Sequence, residues 1–181
     1  MIILLFVALI LLVIIFIFAS PKLSPIPYFP SNHHDLFLII KALNLQNNQI
    51  IVDLGAGDGV VIFKSAEQAL KENLNTKFVA IDINPVLVFI MNIRRLFHPN
   101  KKNIQIVRGD FFKIDLSLLT PNFYPLTTYY LYISPWLLEK TLTIIKNVPG
   151  NKNIVSYFYP IKSLKPKTQT KGIHNLYTYK V

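Results

Sequence analysis

Val52-Asp53-Leu54-Gly55-Ala56-Gly57-Asp58-Gly59 (52–59) closes the hydrophobic run QIIVDLG (49–55). A short apolar run that ends in glycine, with helical periodicity after it, reads as a buried strand turning into a helix. Asp58 is the candidate cap of that helix, which carries Phe63, Ala66 and Leu70 on one face. Glycines suit a turn where backbone must bend tightly and approach a ligand with no Cβ in the way. A dinucleotide fingerprint would need glycine at position 60, which is Val60, and no Gly-Lys-Ser/Thr follows for a phosphate loop.

Outward from this turn the same alternation repeats. KFVAID (77–82) is a second strand, and Asn84-Pro85 opens a helix with proline in its favoured first position. NIQIVRGD (103–110), TTYYLYIS (127–134) and NIVSYFY (153–159) supply three more strands, and Ser134-Pro135 starts another helix. Leu36, Ile39, Ile40 and Leu43 recur at helical spacing, with Ser31 or Asn32 as cap. SLKPKTQTKG shows no convincing helix, and HNLYTYKV alternates as a terminal strand. Strands alternating with helices predict an α/β domain over 31–181, built on a doubly wound, mostly parallel sheet.

In front of it, residues 2–19 carry no polar side chain. At about 1.5 Å per residue they make roughly 27 Å of helix, close to the hydrocarbon thickness of a bilayer. No basic segment precedes the run, bulky Ile17 and Phe18 stand where a cleavage site needs small residues, and Pro21 follows at once. These features favour an uncleaved N-terminal transmembrane helix (1–20) over a signal peptide. Lys22 and the basic domain behind it place that domain on the cytoplasmic side of a single-pass anchor. The linker 21–30 holds Pro21, Pro25, Pro27 and Pro30. Extended at about 3.1 Å per residue, it would keep the domain within roughly 30 Å of the surface, with Tyr28 and Pro30 able to fold back over its mouth.

Composition narrows the chemistry. The 181 residues carry a net charge of +10 yet only 15% charged side chains, and no cysteine. That excludes disulfide scaffolds, thiolate metal sites and cysteine nucleophiles. His33-His34-Asp35 has no third ligand at metal spacing and reads as a surface helix start, so no metal is expected. Residues 140–181 hold eight lysines and no acid. Such a stretch suits solvent or anionic headgroups, and with no arginine and no RNA-binding motif nucleic acid ranks lower.

Sheets of this kind bind ligands outside the carboxyl ends of their strands. There the sequence sets Asp53, Asp82 and Asp110. Asp53 would repel a pyrophosphate and could balance a cationic ligand. Asp82 is spaced to bind ribose hydroxyls. Asp110 could accept from an exocyclic amine, with Phe111 against the adenine face. The ligand this set asks for joins adenine, ribose and an amino-acid tail without a diphosphate, namely S-adenosylmethionine.

D-L-G-A-G-D-G, A-I-D-I-N-P and G-D-F-F-x-x-D-L-S, in this order, resemble class I S-adenosylmethionine-dependent methyltransferases. The apolar N-terminus, P-Y-x-P-S (27–31), GDFFKIDLS (109–117) and the ending VSYFYPI…HNLYTYKV are similar to one group of these. They are the membrane-anchored protein-lysine methyltransferases of the ATP synthase c-subunit and adenine nucleotide carrier type. The resemblance implies methyl transfer to an amine, with a lysine of a membrane protein as the acceptor. It assigns Asp53, Gly55, Ala56, Gly57, Asp58 and Gly59 to the methionine and ribose side, Asp82, Ile83 and Asn84 to the ribose, and Asp110 with Phe111 to adenine. Tyr28, Ser134 and Trp136 are the candidate catalytic residues lining the acceptor. Ser134-Pro135-Trp136 stands where amino-group methylases of nucleic acid carry Asn/Asp-Pro-Pro-Tyr/Phe, which speaks against a base amine as substrate. A small-molecule or lipid methyltransferase, and a non-catalytic cofactor-binding module, remain the alternatives.

Overall fold

The computed structural model describes residues 1–20, 28–120 and 125–181, without the side chains of residues 2, 17 and 19. Most of the Pro-rich linker expected over 21–30 therefore lies outside the described residues.

Helix α1 (Ile2–Ala19) forms where the apolar run predicts it. Its full length rises about 27 Å. That length includes residues 2, 17 and 19, and among the described residues no helix is long and apolar enough to cross a membrane. The expected transmembrane segment is met as a helix, and its insertion is not shown by the fold.

The rest is built, among the described residues, on seven strands: β1 (Gln49–Leu54), β2 (Lys77–Asp82), β3 (Ile104–Arg108), β4 (Leu126–Leu131), β5 (Lys152–Tyr157), β6 (Thr168–Lys171) and β7 (Asn175–Lys180). They form one sheet in the order β3-β2-β1-β4-β5-β7-β6. The first five are parallel; β7 is antiparallel to both β5 and β6. Strand order reverses between β1 and β4, so the crevice at their carboxyl ends is the expected ligand site.

All six residues of β1 are buried, as a central parallel strand requires. Ile51 faces α2 (Leu36–Leu43), α3 (Val60–Lys71) and α4 (Pro85–Phe97), whose inward residues Ile39, Ala66 and Met91 are fully buried. Ile50, Val52 and Leu54 face the other way, in a core shared with Leu142 and Ile145 of α5 (Leu138–Asn147). Burying such a side chain contributes about 1.5–3 kcal/mol.

Local expectations hold to different degrees. Asn84 Oδ1 accepts from the Val86 and Leu87 amides, and Pro85 opens α4 as predicted. Helix α3 begins instead from Gly59, in the left-handed region at φ 77°, although Asp58 Oδ1 still accepts from Val60 N. Leu70 of α3 is exposed rather than on the core face. Asn32 caps a 3-10 turn over His33–Asp35, while Ser31 turns inward to Tyr130 Oη at 2.8 Å.

The C-terminal end departs most from expectation. TQTK is a strand, fully exposed on the sheet edge, and so lacks the apolar alternation that marks a strand. Its hairpin with β7 is held by Asp35, which is buried and not on the surface. The Asp35 carboxylate accepts from Ile173 N (2.8 Å), His174 N (2.9 Å) and Tyr157 Oη (2.7 Å). Burial works against that charge, but the three donors outweigh it and hold the carboxyl below its ordinary value. His33 and His34 remain exposed, and no group of three or more potential metal ligands gathers among the described residues.

Candidate functional site

A cavity of about 380 Å³ opens at the carboxyl ends of β1, β2 and β4. One wall is the glycine turn. Gly55 N and Ala56 N both donate to Ile81 O at 2.9 Å, which presses the turn against the end of β2. Gly57 N then donates to Asp82 Oδ2 at 2.7 Å, and Asn84 N donates to Asp82 Oδ1 at 2.8 Å. One carboxylate thus ties the turn after β1 to the start of α4. Burial raises the Asp82 carboxyl above its ordinary value, while these backbone amides pull it back.

Gly55, Gly57, Asp82, Ile83, Asn84, Asp110 and Phe111 all line this cavity. Asp110 is partly committed: its Oδ1 accepts from Phe112 N at 3.0 Å, and Lys113 Nζ lies 3.8 Å from its Oδ2. Phe111 is largely buried and tilts against Phe112, with ring centroids 4.4 Å apart. Phe112, which sequence reading passed over, lines the cavity beside it and carries the Lys140 ammonium 4.2 Å from its ring centre. The doublet Phe111-Phe112 was the available signal: two rings after the strand-end acid, either able to meet a flat ligand.

Asp53 stands elsewhere. It shares the face of β1 that carries Ile51, and so lies behind the glycine turn rather than in the main cavity. It lines, with Ser31, Tyr130 and Tyr132, a chamber of about 20 Å³, room for one water. Burial drives the Asp53 carboxyl well above its ordinary value, and the nearby Asp82 and Asp58 carboxylates add to the rise. Ala56 and Asp58 border this rear chamber, and Gly59 borders neither space. Asp58 is engaged from outside by Arg94, whose Nη1 reaches its Oδ2 and its carbonyl oxygen, both at 2.7 Å.

The candidate acceptor side is aromatic. Tyr28 lies over the glycine turn, so close that a Cβ on Gly57 would collide with its ring. Its hydroxyl is pushed up to about 12, first by burial and then by the nearby Asp58 charge. Phe29 and Trp136, both strongly exposed, complete the rim with Tyr132 deeper in. Of the two residues expected to fold over the mouth, Tyr28 lines the main cavity, joined by Phe29, whereas Pro30 borders only the rear chamber. Ser134 does not reach the cavity; its carbonyl accepts from Leu137 N at 2.9 Å at the start of the turn Pro135–Leu137. Tyr157 is core, 1% exposed and committed to Asp35.

The wall suits a ligand with a diol and a planar ring better than a polyphosphate, since its ionisable groups near the turn are carboxylates. Asn84, which lines the cavity, keeps a buried Nδ2 with no partner among the described residues. The cavity beside it has room for a nucleoside-sized molecule.

The chain and its fold are similar to those of known methyltransferases. The chain is 24% identical over 152 residues to a lysine N-methyltransferase of the ATP synthase c-subunit from Caenorhabditis elegans, covering 80% of this chain and 73% of that one. It is 29% identical over 152 residues to a protein-lysine N-methyltransferase from Saccharolobus islandicus, covering 81% and 84%. An RNA methyltransferase from Salinibacter ruber, solved with S-adenosyl-L-homocysteine, superposes with a TM-score of 0.69 at 19% identity, covering 84% of this chain and 93% of that one. No protein-family model matches the chain. The fold is that of the S-adenosylmethionine-dependent methyltransferases, and the chain resembles their protein-lysine branch.

Proposed function

We propose that this chain is an S-adenosylmethionine-dependent protein-lysine methyltransferase working at a membrane, with residues 1–20 as anchor, 21–30 as tether and 31–181 as the catalytic domain. The observation that carries the reading is Asp82, which organises the glycine turn and α4 around a cavity of cofactor size. The similarity to two named lysine methyltransferases over most of their length supports the acceptor.

In this reading Asp82 and Asn84 hold the ribose, with Ile83 beside it. Asp110 with the Phe111-Phe112 pair holds adenine, and Gly55 and Gly57 let the amino-acid tail run along bare backbone. Asp53 acts from behind the turn, its raised carboxyl ready to ionise against a cationic ligand. The bound cofactor supplies an electrophilic methyl group. What the chain must supply is an unprotonated amine, aligned and dry.

The exposed rings of Phe29 and Trp136 attract a protonated lysine through their faces. Deeper, between Tyr28 and Tyr132, loss of water favours the neutral amine, whose free pKa is about 10.4. Burial raises the hydroxyls of both tyrosines, so at neutral pH they stay protonated and offer oxygens to orient the amine rather than a base to deprotonate it. Alignment and desolvation carry the rate. Ser134, outside the cavity, has no catalytic part.

The test is transfer of labelled methyl from S-adenosylmethionine to membranes of the source cell, with Asp82→Ala as control. The reading expects label on lysine in a discrete membrane-protein band, lost in the variant. Label in lipid or in soluble small molecules would overturn the acceptor. Cofactor binding without any transfer would leave a binding module.

A further inference from the structure

Helix α4 is apolar on two sides. Leu87, Val88 and Met91 are buried against the sheet. Phe89, Ile93, Leu96 and Phe97 point away from it, with exposures of 64%, 42%, 65% and 84%. The spacing i, i+4, i+7, i+8 puts these four on one stripe. A helix apolar on both faces belongs in a buried setting, yet the domain covers only one of them.

Two further observations say what covers the other. Helix α1, apolar throughout, touches α4 while leaving this stripe open. Around the C-terminal end of the stripe stand Arg95, Lys101 and Lys102, all exposed. Arg95 Nε donates to Lys101 O at 3.3 Å and Lys101 Nζ to Leu96 O at 3.2 Å, which keeps these cations beside Leu96 and Phe97. Among the described residues none of the three pairs with a carboxylate, whereas the neighbouring Arg94 is held by Asp58.

We infer that the outward face of α4 is a membrane-docking surface. Phe89, Ile93, Leu96 and Phe97 enter the interfacial layer, and Arg95, Lys101 and Lys102 meet anionic headgroups. A second copy docked two-fold through this face is the poorer occupant, because residues 89–102 carry no acid to pair with these cations. The inference rests on the membrane reading above and deepens it. Leu87, on the inward side of α4 and near its other end, lines the cofactor cavity, so docking through the outward stripe holds the domain at the membrane without burying the cavity mouth.

Because the chain has no cysteine, single nitroxide labels can be placed without background. The full chain carries one label at a time, from Ile93→Cys, Phe97→Cys, Glu72→Cys as a water-exposed reference, or Ile10→Cys in α1. It is reconstituted in vesicles of phosphatidylcholine and phosphatidylglycerol. Accessibility is read with oxygen, which partitions into lipid, and with a water-soluble nickel chelate. The inference expects positions 93 and 97 to lose most of their nickel accessibility relative to position 72 and to gain oxygen accessibility. Position 97 as wet as position 72, with position 10 in lipid, would overturn the docking face and leave the anchor standing. Both positions wet would overturn both. Position 97 shielded from both reagents, with spin–spin broadening between chains, would assign the face to a second copy.

Discussion

The Gly57 amide donates to Asp82 Oδ2 at 2.7 Å, joining positions 25 residues apart. Because the other oxygen of the same carboxylate receives Asn84 N, the glycine turn and the first turn of α4 move as one unit. Asp82 is therefore a structural clamp of the cavity as well as its acidic wall.

Replacing that clamp should cost ligand binding and local order together. Asp82→Ala leaves two buried amides without acceptors, at about 1–3 kcal/mol each. Asp82→Asn keeps one acceptor oxygen and costs less. Calorimetric titration with S-adenosylmethionine should show at least a tenfold weaker Kd for Asp82→Ala, a loss of about 1.4 kcal/mol. Hydrogen exchange at Gly57 should accelerate in both variants. Normal affinity with fast exchange would separate the clamp from the binding site.

Gly57 sits at φ 60° directly under Tyr28. Gly57→Ala should therefore suffer twice, once from the left-handed backbone at about 1–2 kcal/mol and once from collision with the ring. In a Tyr28→Ala background only the first cost remains. A double-mutant cycle on thermal stability should give a coupling clearly above about 0.5 kcal/mol, the level at which contacting pairs depart from additivity. Strict additivity would mean that Tyr28 does not rest on the turn.

Asp53 makes the chain less stable at neutral pH than it needs to be. Its folded-state carboxyl lies well above its unfolded value, so ionising it on folding is unfavourable. Its contribution is fully present below the unfolded pKa and is lost as pH rises through the folded value. Asp53→Asn should raise Tm at pH 7–8, and the gain should shrink as the pH falls toward about 4, the unfolded carboxyl value. The same variant should bind a cationic cofactor less tightly. A gain in Tm independent of pH would point to packing instead.

The opposite sign applies to Asp35. Its carboxyl is held below its ordinary value, so its contribution is present above the unfolded pKa and lost as pH falls through the folded one. Asp35→Ala strips acceptors from Ile173 N, His174 N and Tyr157 Oη and should destabilise by about 3 kcal/mol. Tyr157→Phe removes one donor and should cost about 1 kcal/mol. Denaturant titrations at pH 7 and near pH 3 should show the Asp35→Ala penalty fading at the acid end.

Trp136 is 76% exposed, so Trp136→Ala should leave stability within about 0.5 kcal/mol. If its ring gathers the acceptor, kcat/KM for the protein substrate should drop while the KM for cofactor stays unchanged. Equal loss on both substrates would make it part of the cofactor wall.

The strand-and-turn grammar was legible in the residues themselves. QIIVDLG, KFVAID and Asn84-Pro85 each carry their own local cause, whether continuous apolarity, a glycine end or a cap with proline. What sequence reading misplaced was direction. Asp53 shares the motif with Gly55 and Gly57, yet the period-two alternation of β1 sends it with Ile51 behind the turn. Ser134 looked catalytic by position after a strand, but the following 3-10 turn keeps it out of the cavity.

Sequence alone determined the succession of strands and helices up to β5, the terminal strand β7 and the acidic groups at the strand ends, because these follow from patterns only a few residues long; the fully exposed β6 has no such pattern. Only the tertiary structure decided which acid meets the cavity, that Asp35 anchors a hairpin some 140 residues away, and that α4 keeps a second apolar face uncovered. Those outcomes depend on which distant backbone amide or side chain the fold delivers to a given carboxylate or helix face. No local pattern encodes that delivery, since it is fixed by sheet order and by the packing of whole elements.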